Sequence, residues 1–298
     1  MSNSSVDKMT AIRGIRWFFN ASKWSPSKEE WLLAVKCVQR EELSRINRFV
    51  FKKDAKLALI GRLLLRSCAQ SCLKTIDYKD IRFERTERGK PFIATNLIQS
   101  SGLEIDLNIS HSGDYCVIGS IVSDIPSKLG VDVMRIEYSG QQSDRPLNDF
   151  FRLMNRQFSE KEWNFINNGS NEWQKLCRFI RLWTLKESFV KAEGIGIAFD
   201  LKRISFECPT PQLNTQTVTY DTCVRVDGSL LEDWLFEESL LDNKHCVCVA
   251  SKPRLDFKPS IFSEKTITDI LKEAVPLNSD QNYDQSLWTD FQNKLNKQ

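Results

Sequence analysis

At 298 residues the chain has the length of two domains of roughly 150 residues each, and it is long enough to bury a large core unaided. With 41% hydrophobic and 27% charged residues it is not a disordered, collagen-like or heptad-repeat chain, and no apolar run reaches the roughly 18 residues of a membrane span. The net charge of +3 divides into +8 over residues 1–110 and −5 over 111–298, which suits an anionic ligand or an acidic protein partner and is too mild to require nucleic acid.

Residues 1–11 lack the apolar stretch of a secretory signal, and Asp7 argues against a mitochondrial presequence. The nine cysteines include no CxxC pair and read as reduced core residues, so the expected location is the cytosol. Ser27 and Glu30 form a capping box ahead of a helix carrying Trp31, Leu32, Val35 and Val38. A second helical stretch runs from Glu41, with breaks, to Arg66. It predicts one buried stripe of Ile46, Phe49, Val50, Leu57, Ile60, Leu64 and Leu65, with Arg45, Arg48, Lys52, Lys53 and Lys56 mostly opposite. Ile81 and Phe83 alternate with charges before the turn Arg88-Gly89-Lys90-Pro91. From Leu103 to Ser110 a strict alternation predicts a half-buried strand, with Glu104, Asp106, Asn108 and Ser110 on its polar face. His111 to Asp114 make a turn, and strands follow at Tyr115–Val122 and Leu129–Val133. A polar loop spans 139–146. Ser159 and Glu162 cap another helix, and a helix from Cys177 to Glu193 stops at Gly194 and Gly196. Strands at Arg203–Cys208, Val218–Val226 and His245–Ala250 complete the α+β pattern. Beyond Lys252 the chain turns polar, with one weak amphipathic segment at Ile267–Val275, and reads as an appended tail.

Four places can carry chemistry. Asn108 to Tyr115 end a strand in backbone donors, a hydroxyl and an imidazole. Asp132 sits inside the apolar strand Gly130-Val131-Asp132-Val133-Met134, where a buried carboxylate needs a cation or an ion pair. Glu187 and Lys191 share a helix face, placed either to pair with each other or to flank a metal phosphate. Arg85-Thr86-Glu87-Arg88-Gly89-Lys90 is a cationic turn suited to phosphate. Taken singly, each has a plain structural alternative: a satisfied histidine, a buried ion pair, a surface helix pair, a solvated basic turn. With only His111 and His245 in the chain, a zinc enzyme is disfavoured.

In this order, Gly89-Lys90-Pro91, Asn108-Ile109-Ser110-His111-Ser112, Gly130-Val131-Asp132 and the run from Trp183 through Lys186-Glu187-Ser188 to Lys191-Ala192 resemble the signatures of the 4′-phosphopantetheinyl transferase superfamily of the Sfp type. The resemblance covers much of residues 12–252, and Trp31 to Val35 and Phe49-Val50-Phe51 are similar to its animal branch. It implies an α+β fold of two pseudo-symmetric α/β subdomains, residues 10–115 and 116–253, with the active site in the cleft between them and a polar extension at 254–298. The implied enzyme is a holo-acyl-carrier-protein synthase. It moves phosphopantetheine from coenzyme A to a serine of an acyl or peptidyl carrier domain and releases adenosine 3′,5′-bisphosphate.

Carried over residue by residue, the resemblance gives Asp132 and Glu187 to Mg²⁺, Glu187 to the serine proton as base, and Lys191 to the phosphates and leaving group. Ser110 and His111 would hold coenzyme A, with Asn108 and Ile109 at the same strand end. Arg45 and the turn of Arg85, Thr86, Glu87, Arg88, Gly89 and Lys90 would grip the nucleotide. A fatty-acid synthase, a mitochondrial acyl carrier protein and an aminoadipate-type reductase are the implied partners of a monomeric enzyme that binds neither nucleic acid nor membrane. Met134 departs from the many members with a second acid at that position, leaving two protein ligands and implying weak metal affinity without coenzyme A.

Overall fold

The structure, a computed structural model, describes residues 13–74, 76–98, 103–139, 141, 145–196, 199–253, 259–277 and 284–296. The readings of residues 1–11 and part of the loop at 139–146 lie outside them. The first half begins with strand β1 (Arg13–Asn20), which the sequence pattern did not single out. Ile15, Trp17 and Phe19 pack on one core, while Phe18 meets a second core from the other face. Covered on both sides, the strand shows no polar alternation. The capping box of Ser27 and Glu30 starts helix α1 (Lys28–Lys36), as expected.

The expected helical stretch with breaks is two helices, α2 (Arg40–Asn47) and α3 (Lys52–Cys72), joined by a bend at 48–51. Phe49 and Val50 fall in that bend and are 40% and 60% exposed, so they leave the buried stripe that Ile46, Leu57, Ile60, Leu64 and Leu65 do form. A short hairpin of β2 (Phe83–Arg85) and β3 (Pro91–Ile93) turns at Gly89, whose φ of 85° favours glycine. Helix α4 (Thr95–Ile98) precedes β4 (Glu104–Ser112) and β5 (Tyr115–Ser123), which pair antiparallel.

The second half repeats this order. Strand β6 (Lys128–Arg135) leads through α5 (Leu147–Leu153) and α6 (Glu160–Asn167) to the long helix α7 (Glu172–Glu193). Strands β7 (Ile204–Glu207), β8 (Cys223–Val226) and β9 (Ser229–Leu230) form a small sheet, and β10 (Leu235–Asp242) and β11 (His245–Lys252) a hairpin. The sheets run β1-β5-β4 and β6-β11-β10, so in each half the last strand lies between the first strand and its own hairpin partner. β5, which begins at the expected boundary of 115/116, bonds to β1 and β4 of the first half.

Strand β10 escaped sequence reading because Glu237 and Glu238 interrupt it. Both are buried, and each is neutralised from afar: Arg16 of β1 binds Glu237, and Arg181 of α7 binds Glu238. Three apolar clusters follow from this layout. One fills the first half beneath α3, one fills the second beneath α7, and the third lies between the halves, with Val117 and Ile121 of β5 against Val131, Val133, Val247 and Val249.

Residues after β11 are not a loose appendage. Strand β12 (Ser263–Glu264) adds parallel to β1, and α8 (Ile267–Leu271) and α9 (Asp284–Gln292) cover the first half. Phe262, Ile270, Leu287 and Phe291 are buried, and Phe291 stacks on Trp31 with ring centroids 3.7 Å apart. A few well-spaced apolar anchors bury this segment in spite of its polar composition. Among the described residues no helix is long and apolar enough to cross a membrane.

Candidate active site

Two sheet edges face each other where the halves meet, β4 on one side and β6 on the other. The polar face of β4 closes the gap. Asp106 Oδ2 accepts from the backbone N–H of Leu129 (2.7 Å), Asn108 Oδ1 from Val131 (2.9 Å) and Ser112 Oγ from Arg135 (3.0 Å). Side chains thus satisfy backbone donors that an open edge would leave unpaired. Ser110 breaks the series. Its hydroxyl donates to Asp132 Oδ1 at 2.8 Å.

Asp132 is 4% exposed and points away from Val131 and Val133, toward α7. Lys191 Nζ donates to Asp132 Oδ1 (2.6 Å), Ser110 Oγ (2.9 Å) and the carbonyl of Val131 (3.3 Å). Asp132 Oδ2 is buried with no hydrogen-bond partner, a costly state unless a cation meets it. Glu187 lies one helical turn before Lys191. Burial raises its pKa, the Asp132 charge raises it further, and Lys191 opposes both. The two acids, 55 positions apart in the chain (132 to 187), therefore share one electrostatic environment.

Helix α7 comes this close because of Gly130. A Cβ there would lie 2.1 Å from the carbonyl oxygen of Ser188 and 2.4 Å from the amide of Ala192. The helix then ends at Gly194 in the left-handed conformation, and the Gly194 carbonyl accepts from Arg88 Nη1 at 2.9 Å.

A cleft of 620 Å³ opens over Glu187 and Lys191. Arg88, Gly89, Lys90, Asn108 and Ile109 line its first-half wall, and Trp183, Phe199 and Gln157 line the other. Lys90 is tied down by Asp106 Oδ2 (2.8 Å) and the carbonyl of Leu129 (3.0 Å), so its amine braces the wall. Thr86 closes the turn through the amides of Lys90 and Gly89, while Glu87 is exposed at its tip. His111, near the end of β4, is not among the residues that line the cleft, and it keeps part of its surface in solvent. Burial of its ring and then the Lys191 charge lower its pKa, with Asp54 and Asp132 opposing, so the ring is neutral near pH 7.

Arg45 and Arg85 are not among the residues that line this cleft, and they are grouped with Arg62, which the sequence pattern did not single out. Burial lowers the pKa of Arg85, and so do the nearby charges of Arg62 and Arg45, against a single opposing carboxylate, Glu42. Arg62 also acts on His111 and contacts Glu42 at 3.5 Å. The one signal for it was a charge inside the apolar run Leu57 to Leu65. Asp106, whose bond to the β6 amide and to Lys90 shapes the wall, gave no separate signal either.

The cleft sets Arg88 and Lys90 on one wall opposite Glu187 and Lys191, the last two coupled to the buried Asp132, which suits a phosphate-bearing ligand. Oxygen donors alone suit a hard cation such as Mg²⁺, and the unpartnered Asp132 oxygen and the raised Glu187 pKa are consistent with one. Among the described residues no group of three or more His, Cys, Asp or Glu side chains could hold a metal. Met134 shares the Asp132 face of β6 and packs against the core of the second half.

A family model described as 4′-phosphopantetheinyl transferase, N-terminal, matches residues 22–123, and one described as the 4′-phosphopantetheinyl transferase superfamily matches 128–250. The L-aminoadipate-semialdehyde dehydrogenase-phosphopantetheinyl transferase of Xenopus laevis is 39% identical over 97% of this chain and 95% of its own length. The protein of that name from Homo sapiens is 37% identical over 94% and 92%. These matches run through the segment after Lys252, which the sequence resemblance had left out. A phosphopantetheinyl transferase of Thraustochytrium sp. is 35% identical over 78% of this chain and 77% of its own length. The chain belongs to the 4′-phosphopantetheinyl transferase superfamily.

Proposed function

We propose that the protein transfers 4′-phosphopantetheine from coenzyme A to a serine hydroxyl of an apo carrier domain, with Asp132 and Glu187 holding Mg²⁺ and Glu187 acting as base. The observation that carries this is the joining of Ser110, Asp132 and Lys191 by hydrogen bonds from three elements of two halves, with Glu187 in the Asp132 field and both Glu187 and Lys191 lining the cleft. In the transfer the serine Oγ–P bond forms and the P–O bond to adenosine 3′,5′-bisphosphate breaks, while the hydroxyl proton passes to the Glu187 carboxylate. Its raised pKa makes that carboxylate a better proton acceptor than an ordinary glutamate. Such chemistry depends on charge neutralisation and alignment. When bound, Mg²⁺ would supply charge neutralisation at the diphosphate. Lys191, already joined to Asp132 and Ser110, would bind the phosphates and help stabilise the leaving group. Ser110, Asn108, Ile109 and His111 would border the diphosphate end. Arg88 and the turn of Arg85, Thr86, Glu87, Gly89 and Lys90, together with Arg45, would border the nucleotide.

The subdomain division proposed is 13–123 and 128–253, supported by the sheet pairing and by where the two family matches end and begin. The names of the animal relatives point to an aminoadipate-type reductase carrier first. Fatty-acid synthase and mitochondrial carriers, a cytosolic location and a monomeric state complete the reading. Incubating the protein with Mg²⁺, coenzyme A and an apo carrier domain, then weighing the intact carrier, tests it. The expected result is a mass gain of one phosphopantetheine on the carrier serine. No gain with wild type, while coenzyme A still binds, would favour a non-catalytic scaffold.

A further inference from the structure

The last described residues of the chain hold the bend between α2 and α3. Lys294 Nζ donates to the carbonyls of Asn47 (2.8 Å) and Phe49 (2.7 Å), at the C-terminal end of α2. The Leu295 N–H donates to the Val50 carbonyl at 3.0 Å, and the Leu295 carbonyl accepts from the Lys52 N–H at 2.9 Å, a parallel bridge to Phe51. Helix α3 needs this, because its N-cap residue Phe51 supplies no side-chain cap. One dipeptide thus places an ammonium on the final carbonyls of one helix and an acceptor on the first N–H of the next. Its own position is fixed just upstream, where Phe291 is buried against Trp31 and Leu287 lies in the same core.

What the bend sets is the placement of two arginines. Arg45 is in the last turn of α2, and Arg62 is in α3. Both act on Arg85 of the hairpin, and Glu42 is the carboxylate that opposes them there. Asp54 and Arg62 of α3 also act on His111. Glu42 of α2 and Arg62 of α3 also meet directly, Oε1 to Nη1 at 3.5 Å, so a change in the angle between α2 and α3 would part Arg45 from Arg62.

We infer that Lys294 and Leu295 are positioning residues for the anionic end of the substrate, holding α2 against α3 so that Arg45 and Arg62 reach the same phosphate. The inference rests on the coenzyme A reading above. The test uses the full-length chain and three variants, Lys294→Met, Lys294→Arg and Ile270→Ala, the last removing a buried side chain of the same C-terminal segment away from the bend. Coenzyme A affinity is measured by calorimetry, with carrier transfer rates alongside. Lys294→Met should weaken coenzyme A binding about five- to tenfold, the loss expected for one displaced charged contact. Its kcat at saturating coenzyme A should stay within about twofold of wild type. Lys294→Arg should restore most of the affinity. Ile270→Ala should lower the melting temperature at least as much while leaving affinity unchanged.

Unchanged affinity in Lys294→Met, or an equal loss in Ile270→Ala, overturns the inference. If wild type binds coenzyme A without transferring its arm and Lys294→Met still weakens binding, the transfer reading fails and the positioning role stands. A wild type that does not bind coenzyme A overturns both.

Discussion

Replacing Gly130 by alanine adds one methyl group at the point where β6 and α7 touch. That Cβ would lie 2.1 Å from the Ser188 carbonyl oxygen and 2.4 Å from the Ala192 amide, both backbone atoms that no rotamer change can move. Restoring a contact of about 3.4 Å requires a retreat of α7 by about 1.3 Å. Lys191 directly precedes Ala192, so its 2.6 Å bond to Asp132 would stretch toward about 3.9 Å, past hydrogen-bonding range. Overpacking of this kind costs about 1–3 kcal/mol, and parting the Asp132 charge from its partner adds to it. A misplacement of about 1 Å at a catalytic group lowers turnover on the order of 100-fold. Glycine 61 supplies the contrast. It lies inside α3, where a Cβ would meet Ile109 Cδ1 at 3.4 Å and Cys116 Sγ at 3.7 Å, ordinary contacts. Gly61→Ala should therefore be neutral or stabilising by up to about 1 kcal/mol. Urea unfolding and carrier-transfer rates measured on both variants decide the matter. Near-wild-type turnover in Gly130→Ala would refute the view that close packing of α7 on β6 sets the site.

Glu187→Gln should abolish transfer yet leave the fold intact. Because burial and Asp132 raise the Glu187 pKa, its stabilising contribution is present below the ordinary carboxylate pKa and lost as pH rises through the raised one. The glutamine variant should then melt higher than wild type at neutral pH and converge with it in acid, by calorimetry; a lower melting point at pH 7 contradicts this. Burial and the Lys191 charge hold His111 below the ordinary imidazole range, so coenzyme A binding should tighten only in acid below that range, where the ring gains charge. His111→Ala should raise the coenzyme A KM and flatten that profile, and a pure kcat loss would be the wrong result. Asn108→Ala strands the buried Val131 N–H and should cost about 1–3 kcal/mol in denaturant unfolding. Phe291→Ala removes the ring stacked on Trp31 and should cost about 3–5 kcal/mol, whereas a loose tail would show no change.

Local signals were the most legible. The capping boxes at Ser27–Glu30 and Ser159–Glu162 need only three residues of context, and both helices start there. The alternation of Glu104 to Ser110 gave a strand, but its polar face served a partner strand 23 residues on, which no periodicity reveals. Strand β10 was hidden for a related reason. Glu237 reads as a surface residue until Arg16, 221 positions earlier, is seen to neutralise it. The C-terminal segment misled through its mean composition, since four buried anchors among many polar residues decide where it packs. At the site, resemblance supplied Asp132, Glu187 and Lys191. It did not supply Arg62, whose place beside Arg85 depends on the bend at 48–51, or the bracing role of Lys90.

A double-mutant cycle on Asp132→Asn and Glu187→Gln, read as single-turnover transfer rates at saturating coenzyme A and Mg²⁺, probes most directly whether both carboxylates work on one reaction centre. Each single substitution should remove nearly all of the rate, and the double variant should be no slower than the worse of the two. Two losses that multiply would mean that the acids act independently, and the account of the cleft would be wrong.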